Sequence, residues 1–398
     1  MSLKEIFCQD RAIDILQRAF ASGKSAHAYI FAGLEGVGKF KTAREWAKLL
    51  LCKSPVIENG FADSCGSCQS CRLLEAGSHP DFNSVYKELR EFTTDGRGKP
   101  PPADLPIDVI REFLIAKVST RPTLSQRKVF VVSEGEKLND SSQNCLLKVL
   151  EEPPGYCCIV LLCTRLERLL PTTKSRCQII RFGLIDEDRI IEKLKDMGIE
   201  EKQAKYFARL AQGSLGAACR WAKLELADAN LYETKKELVS SLAGYEFADA
   251  LNLAQELLDK SKKIAAVWTS LDKTTSKTDI NQRAAKTLIQ IIISALYDVM
   301  KLNITPTPLQ IPGCPGPLPG KSRPKKGKFL TGPTIDVINF DQKEQVEKLA
   351  GRFDPEQSAE KISGCYKMMR WIESSVNEKL IFEQLLLNLA DSDTIRVS

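Results

Sequence analysis

Residues 28–39 read Ala-Tyr-Ile-Phe-Ala-Gly-Leu-Glu-Gly-Val-Gly-Lys. The first five form a short apolar run, the pattern of a buried strand. Gly33 to Lys39 follows as GLEGVGK, and Lys39 to Leu51 has helical spacing. Strand, glycine-rich turn and helix together are the setting a phosphate-binding loop requires. Successive N–H groups in such a loop aim at phosphate, and the helix N-terminus adds a positive field. Gly33, Gly36 and Gly38 are the candidate turn residues, and Lys39 the candidate terminal-phosphate ligand.

The residue after that lysine changes the reading. A hydroxyl there would ligate Mg²⁺, but the chain has Phe40. Thr42, two residues on, is turned roughly 200° away on a helix. The apolar run Lys128–Val132 is followed by Ser133-Glu134-Gly135-Glu136. A serine stands where a magnesium-binding aspartate belongs. Glu134 occupies the position of a water-activating glutamate. Both metal positions are degraded together.

Outward from the loop, apolar runs and helical spacings alternate. Gln9–Ala21, Lys39–Leu51 and Ser142–Glu151 read as helices, the last stopped by Pro153-Pro154. Lys128–Val132, Ile159–Cys163 and Gln178–Phe182 read as further strands. Strands separated by helices predict an α/β fold with a parallel sheet covered on both faces. Glu187 to Trp221 reads as three short helices, and the chain from Leu226 on is mostly helical. Arg90 to Leu105 is expected as a surface loop. Residues 303–335 hold eight prolines, five glycines, five basic residues and no acidic one. That composition predicts disorder. Its cluster Lys321, Arg323, Lys325, Lys326 and Lys328 is a solvated linker or a phosphate contact.

The chain has 398 residues, enough for two to three domains. Its 43% hydrophobic and 27% charged residues exclude a collagen, a wholly disordered chain and a bare coiled coil. No apolar run approaches a membrane span, and Met1–Asp10 carries no apolar signal core, so a soluble cytoplasmic protein is expected. The net charge of +6 permits nucleic-acid contact without arguing for it.

Thirteen cysteines, an odd number, argue for reduced thiols. Cys52, Cys65, Cys68 and Cys71 stand out as C-x12-C-x2-C-x2-C. Four thiolates at that spacing suit tetrahedral, structural Zn²⁺, with a redox dithiol as the other reading. His79, followed by Pro80, is read as a non-ligand. The remaining cysteines read as small buried hydrophobes.

These residues form a set. His27-Ala28-Tyr29 leads into GLEGVGK, followed by the four cysteines, His79-Pro80-Asp81, residues 146–154 (LLKVLEEPP) and Ser175-Arg176-Cys177. In this order they resemble the bacterial sliding-clamp loaders of the AAA+ family, the gamma/tau and delta-prime subunits of DNA polymerase III. The resemblance covers about residues 5–225. It implies a RecA-like domain over 1–182, a three-helix lid over 183–225, and a helical collar domain over 226–398. It also implies partners: gamma/tau and delta subunits in a hetero-pentamer, the sliding clamp, and primer–template DNA through the complex, with no membrane. Gamma-type subunits keep a Thr after the loop lysine, an Asp-Glu pair and a lid Arg. Here those positions are Phe40, Ser133-Glu134 and Gly216, which points to the delta-prime type, a stator that does not hydrolyse ATP. By the same resemblance Arg176 acts in trans on a neighbour's ATP, and Thr164 falls at a sensor position. Two rivals stay open: a gamma/tau-type ATPase, and a zinc/basic nucleic-acid-binding module. Binding of ATP without hydrolysis also stays open.

Overall fold

All five side chains of Ala28–Ala32 are buried, and so are all seven of Cys157–Cys163. Both are central strands of one sheet. A computed structural model describes residues 2–96, 104–272, 275–304, 337–374 and 376–390. Its strands are β1 (Ala28–Ala32), β2 (Val56–Glu58), β3 (Phe61–Asp63), β4 (Phe82–Val85), β5 (Lys128–Val132), β6 (Cys157–Cys163) and β7 (Gln178–Arg181). The main sheet has the order β4-β5-β6-β1-β7, and every pairing in it is parallel. Ile30 lies between Leu161 on one side and Ile179 on the other. The expected α/β architecture with a parallel sheet is what forms.

Period-two alternation divides the sheet's side chains between two cores. Tyr29, Phe31, Val129, Val131, Val160 and Ile180 face one, covered by Ile13, Leu16, Trp46 and Leu50 from the helices Asp10–Ala21 and Lys39–Leu51. Ile30, Phe130, Val132, Ile159 and Leu161 face the other, covered by Val109, Leu114, Leu146 and Leu150. Residues on both faces are apolar because both faces are covered, which is why the strands read as continuous runs rather than alternating ones.

Several elements depart from the expected bounds. β6 begins at Cys157 and β7 ends at Arg181. The helix Asp140–Glu151 starts two residues early, because Asn139 caps it by accepting from the Ser142 N–H. Among the strands, the edge strand β4 and the antiparallel hairpin β2–β3 were not expected. The stretch 107–118 is a helix with a π-helical turn over Arg111–Ile115. The 3-10 helix Lys87–Phe92 runs into the start of the expected 90–105 loop, of which 97–103 lie outside the described residues.

The chain divides into two compact units, 1–193 with 211–219, and 194–210 with 220–398. The three helices Glu187–Asp196, Glu201–Ala211 and Leu215–Leu226 therefore contribute to both. In the second unit, the helix Lys277–Ile304 packs against Ala250–Leu271 and Pro355–Glu373. By length and composition alone it is apolar enough to cross a membrane, but 61% of that window is buried within the protein. Asp298 on it accepts from the Ile338 and Asn339 N–H groups, both at 2.7 Å. Lys235, fully buried, pairs with Asp341, whose other oxygen accepts from the Tyr232 hydroxyl at 2.8 Å. These bonds anchor residues 337–342. Of the 303–335 stretch expected to be disordered, all beyond Ile304 lies outside the described residues.

Candidate functional site

The glycine-rich loop emerges from β1 as expected. Gly36 and Gly38 have φ of +82° and +105°, a region that glycine enters without a Cβ penalty. Gly38 caps the helix Lys39–Leu51. Lys39 is buried, and its Nζ turns back to donate to Gly33 O at 2.5 Å and Leu34 O at 2.8 Å. Burial lowers its pKa, against an opposing pull from Glu136 and Glu35. Phe40 is 46% exposed, and Thr42 is buried with its hydroxyl donating to Gly38 O at 3.0 Å. Neither offers an oxygen to a cation beside the loop.

A second segment closes on the loop. Ser214 Oγ donates to Glu35 O at 2.7 Å, and the Gly216 N–H donates to Gly36 O at 2.8 Å. A Cβ on Gly36 would collide with Ser214 Oγ, and one on Gly216 would lie 2.7 Å from Gly36 Cα. The loop's carbonyls are thus satisfied by the start of the helix Leu215–Leu226.

At the ends of β5 and β6 the expected residues have other occupations. The Glu134 carboxylate is paired with Lys137 at 2.6 Å. Glu136, which sequence reasoning passed over, accepts from the Thr164 hydroxyl at 2.6 Å and the Thr164 N–H at 3.0 Å. Thr164 is therefore tied to a carboxylate that follows the neighbouring strand β5.

The four cysteines converge. The Sγ atoms of Cys52, Cys65, Cys68 and Cys71 all lie within 4.8 Å of one another. Cys52 Sγ is 3.6 Å from Cys65 Sγ and 4.0 Å from Cys68 Sγ. A tetrahedral ion with 2.3 Å bonds to sulfur would set such separations at about 3.8 Å. The N–H groups of Cys65, Cys68 and Cys71 point at the sulfurs of Cys52, Cys65 and Cys68 in turn. Burial raises the Cys65 thiol pKa, but the N–H donors of Cys68 and Ser67 outweigh it and bring it down to about 6. Burial keeps the Cys52 and Cys71 pKa values up. A divalent cation would offset half of the charge on four thiolates, and the donor set fits one.

His79 is not a ligand in this arrangement. Its Nδ1 accepts from the Asp81 N–H at 3.0 Å, which leaves the hydrogen on Nε2, 2.7 Å from Ser70 Oγ. Ser70 Oγ in turn donates to Leu51 O at 2.7 Å. The histidine thus braces the residues adjoining Cys52 and Cys71. Asp81, fully buried, accepts from the N–H groups of Thr123, Leu124 and Ser125 at 2.7, 2.8 and 2.8 Å.

Arg176 ends the short helix Pro171–Ser175. Its Nη2 is 2.6 Å from Glu151 Oε1, and its Nη1 donates to Thr172 O at 3.0 Å and lies 3.3 Å from Ser175 Oγ. The guanidinium side chain remains one-third exposed.

Residues 8–186 match the family described as "DNA polymerase III, delta subunit". A DNA polymerase III subunit delta' of Pseudomonas aeruginosa is 40% identical over 152 residues, 38% of this chain and 42% of that protein. The subunit delta' of Escherichia coli is 30% identical over 229 residues, 57% of this chain and 62% of that protein. A subunit tau of Salmonella typhimurium is 26% identical over 317 residues, 77% of this chain and 44% of that protein. The chain thus spans roughly half the length of these relatives. A solved gamma-subunit-related protein of Thermotoga maritima covers 95% of this chain and 98% of its own, at 18% identity and a TM-score of 0.38. That score carries no argument. Over residues 8–186, under half of its length, the chain is similar to that DNA polymerase III family, and the curated relatives it matches are delta-prime and tau subunits of DNA polymerase III.

Proposed function

We propose that the chain is a delta-prime-type clamp-loader subunit. It assembles with gamma/tau and delta subunits into a hetero-pentamer that opens a sliding clamp and places it on primer–template DNA in the bacterial cytoplasm. It does not hydrolyse ATP itself. The observation that carries this reading is the state of Lys39. Its ammonium is spent on Gly33 O and Leu34 O, beneath a loop whose next carbonyls are taken by Ser214 and Gly216. Phe40 and Ser133 offer no carboxylate or hydroxyl pair to hold magnesium beside it.

Its contribution to chemistry is Arg176, presented to the ATP of an adjoining subunit. There the guanidinium stabilises charge developing on the γ-phosphoryl group. Fingers of this kind are worth about 10³ to 10⁵ in rate. Structural zinc is held by Cys52, Cys65, Cys68 and Cys71. With four protein ligands the ion has no open position and activates no water.

The tau subunit of Salmonella typhimurium aligns over a longer stretch than the delta-prime subunit of Escherichia coli, 77% of this chain against 57%. That keeps a gamma/tau-type ATPase as the second reading. ATP turnover by the purified chain separates the two. The delta-prime reading expects none above background. Turnover abolished by Lys39→Ala would establish the second. The zinc/basic module reading expects salt-dependent DNA binding by the isolated chain, with a slope set by the phosphates neutralised.

A further inference from the structure

Glu151 and Arg176 are 25 positions apart in sequence and belong to different elements. Glu151 is the last residue of the helix Asp140–Glu151, and Arg176 caps the helix Pro171–Ser175. Their side chains meet at 2.6 Å, Arg176 Nη2 to Glu151 Oε1. The other arm of the guanidinium, Nη1, is bonded to Thr172 O at 3.0 Å. Both arms of one fork are therefore held, by groups from two separate segments.

The holder is itself fixed. The Glu152 N–H donates to Lys148 O at 3.1 Å, which closes the last helical turn, and Pro153 and Pro154 prevent its continuation. Glu151 thus projects from a defined helix end rather than a wandering loop. An arginine has long, mobile torsions, and ordering it on arrival at a phosphate costs rotamer freedom. A carboxylate that already restrains it removes part of that cost.

The geometry points to Glu151 as a positioning residue for Arg176, one that holds the guanidinium in the pose it presents to the neighbouring subunit's nucleotide. This rests on the trans role of Arg176 proposed above. Glu151 does not touch the reacting phosphate. It acts by reducing the number of poses the finger samples before the two subunits engage. The pair is half-exposed, with side-chain exposures of 33% and 49%, so its worth is that of a surface ion pair at most, up to about 1 kcal/mol. One kcal/mol corresponds to about a fivefold change in rate.

The test uses the complex reconstituted with the same organism's tau subunit, delta subunit, clamp and primed DNA, and reads ATP turnover. Glu151→Ala is expected to lower kcat about two- to fivefold and leave KM for ATP unchanged. Glu151→Gln, whose amide oxygen still accepts from Nη2, is expected to recover most of the loss. In an Arg176→Ala background, Glu151→Ala is expected to have no further effect. A Glu151→Ala complex with unchanged or raised kcat overturns the positioning role, as does a loss of equal size in the Arg176→Ala background. If Arg176→Ala itself changes nothing, the finger reading fails and takes this inference with it. Circular dichroism of the free variant and its metal content control for folding, since Glu151 lies at the surface and far in sequence from the four cysteines.

Discussion

The N–H of Gly216 donates to Gly36 O at 2.8 Å, and a Cβ on Gly216 would sit 2.7 Å from Gly36 Cα. Two backbones from opposite ends of the first unit meet without a side chain between them. Gly36 is held at φ +82° and Gly216 lies in the first turn of the helix Leu215–Leu226. The contact leaves no room for an arginine at position 216, which is where the resemblance places one in ATP-hydrolysing subunits.

Replacing Gly216 with alanine tests this contact. The added methyl group must push the two segments apart, and overpacking of this kind costs about 1–3 kcal/mol. Thermal unfolding of Gly216→Ala should shift down by several degrees. An unchanged midpoint would show that the two backbones separate freely.

The cysteine cluster predicts about one zinc per purified chain. Cys65→Ser should lower metal content to a small fraction of wild type, because removing one of four ligands opens the coordination sphere. A strong chelator should destabilise the wild-type chain and leave the metal-free variant unaffected. Full zinc occupancy in Cys65→Ser would exclude these four residues as the ligand set.

Asp81 predicts a pH dependence. Burial raises its pKa, but the N–H groups of Thr123, Ser125 and Leu124 outweigh burial and hold it below the ordinary 3.8. A carboxylate depressed in the folded state stabilises fully above its unfolded pKa. That contribution is lost as pH falls through the lower folded value. Wild-type stability should therefore decline below about pH 4. Asp81→Asn should show a flatter decline and, at neutral pH, a loss of about 1–3 kcal/mol for the mispaired donors. Parallel stability–pH curves for the two would contradict the assignment.

The parts legible in sequence were those with local signals. β1 and the loop after it could be read because five apolar residues precede glycines at fixed spacing. The cysteine set could be read because its spacing is its geometry. β4 was missed because Asn83 and Ser84 interrupt any apolar run, and an edge strand paired only to β5 tolerates them. The hairpin β2–β3 did carry a signal, Asn59-Gly60, both with positive φ, a pairing favoured in tight hairpin turns. It was overlooked because each strand is three residues long. The Glu151–Arg176 pair had no signal, since no periodicity links residues on separate elements. The same holds for Glu136 and Thr164. Lys39 stands at the end of the loop, but no local signal in the sequence shows that its Nζ turns back onto Gly33 O and Leu34 O.

The most direct test of the account is ATP turnover by the reconstituted loader when this chain alone carries Arg176→Ala. The account predicts that turnover at the adjoining subunit's site falls about 10³-fold or more, while the complex still assembles. Turnover equal to that of the wild-type complex would contradict it.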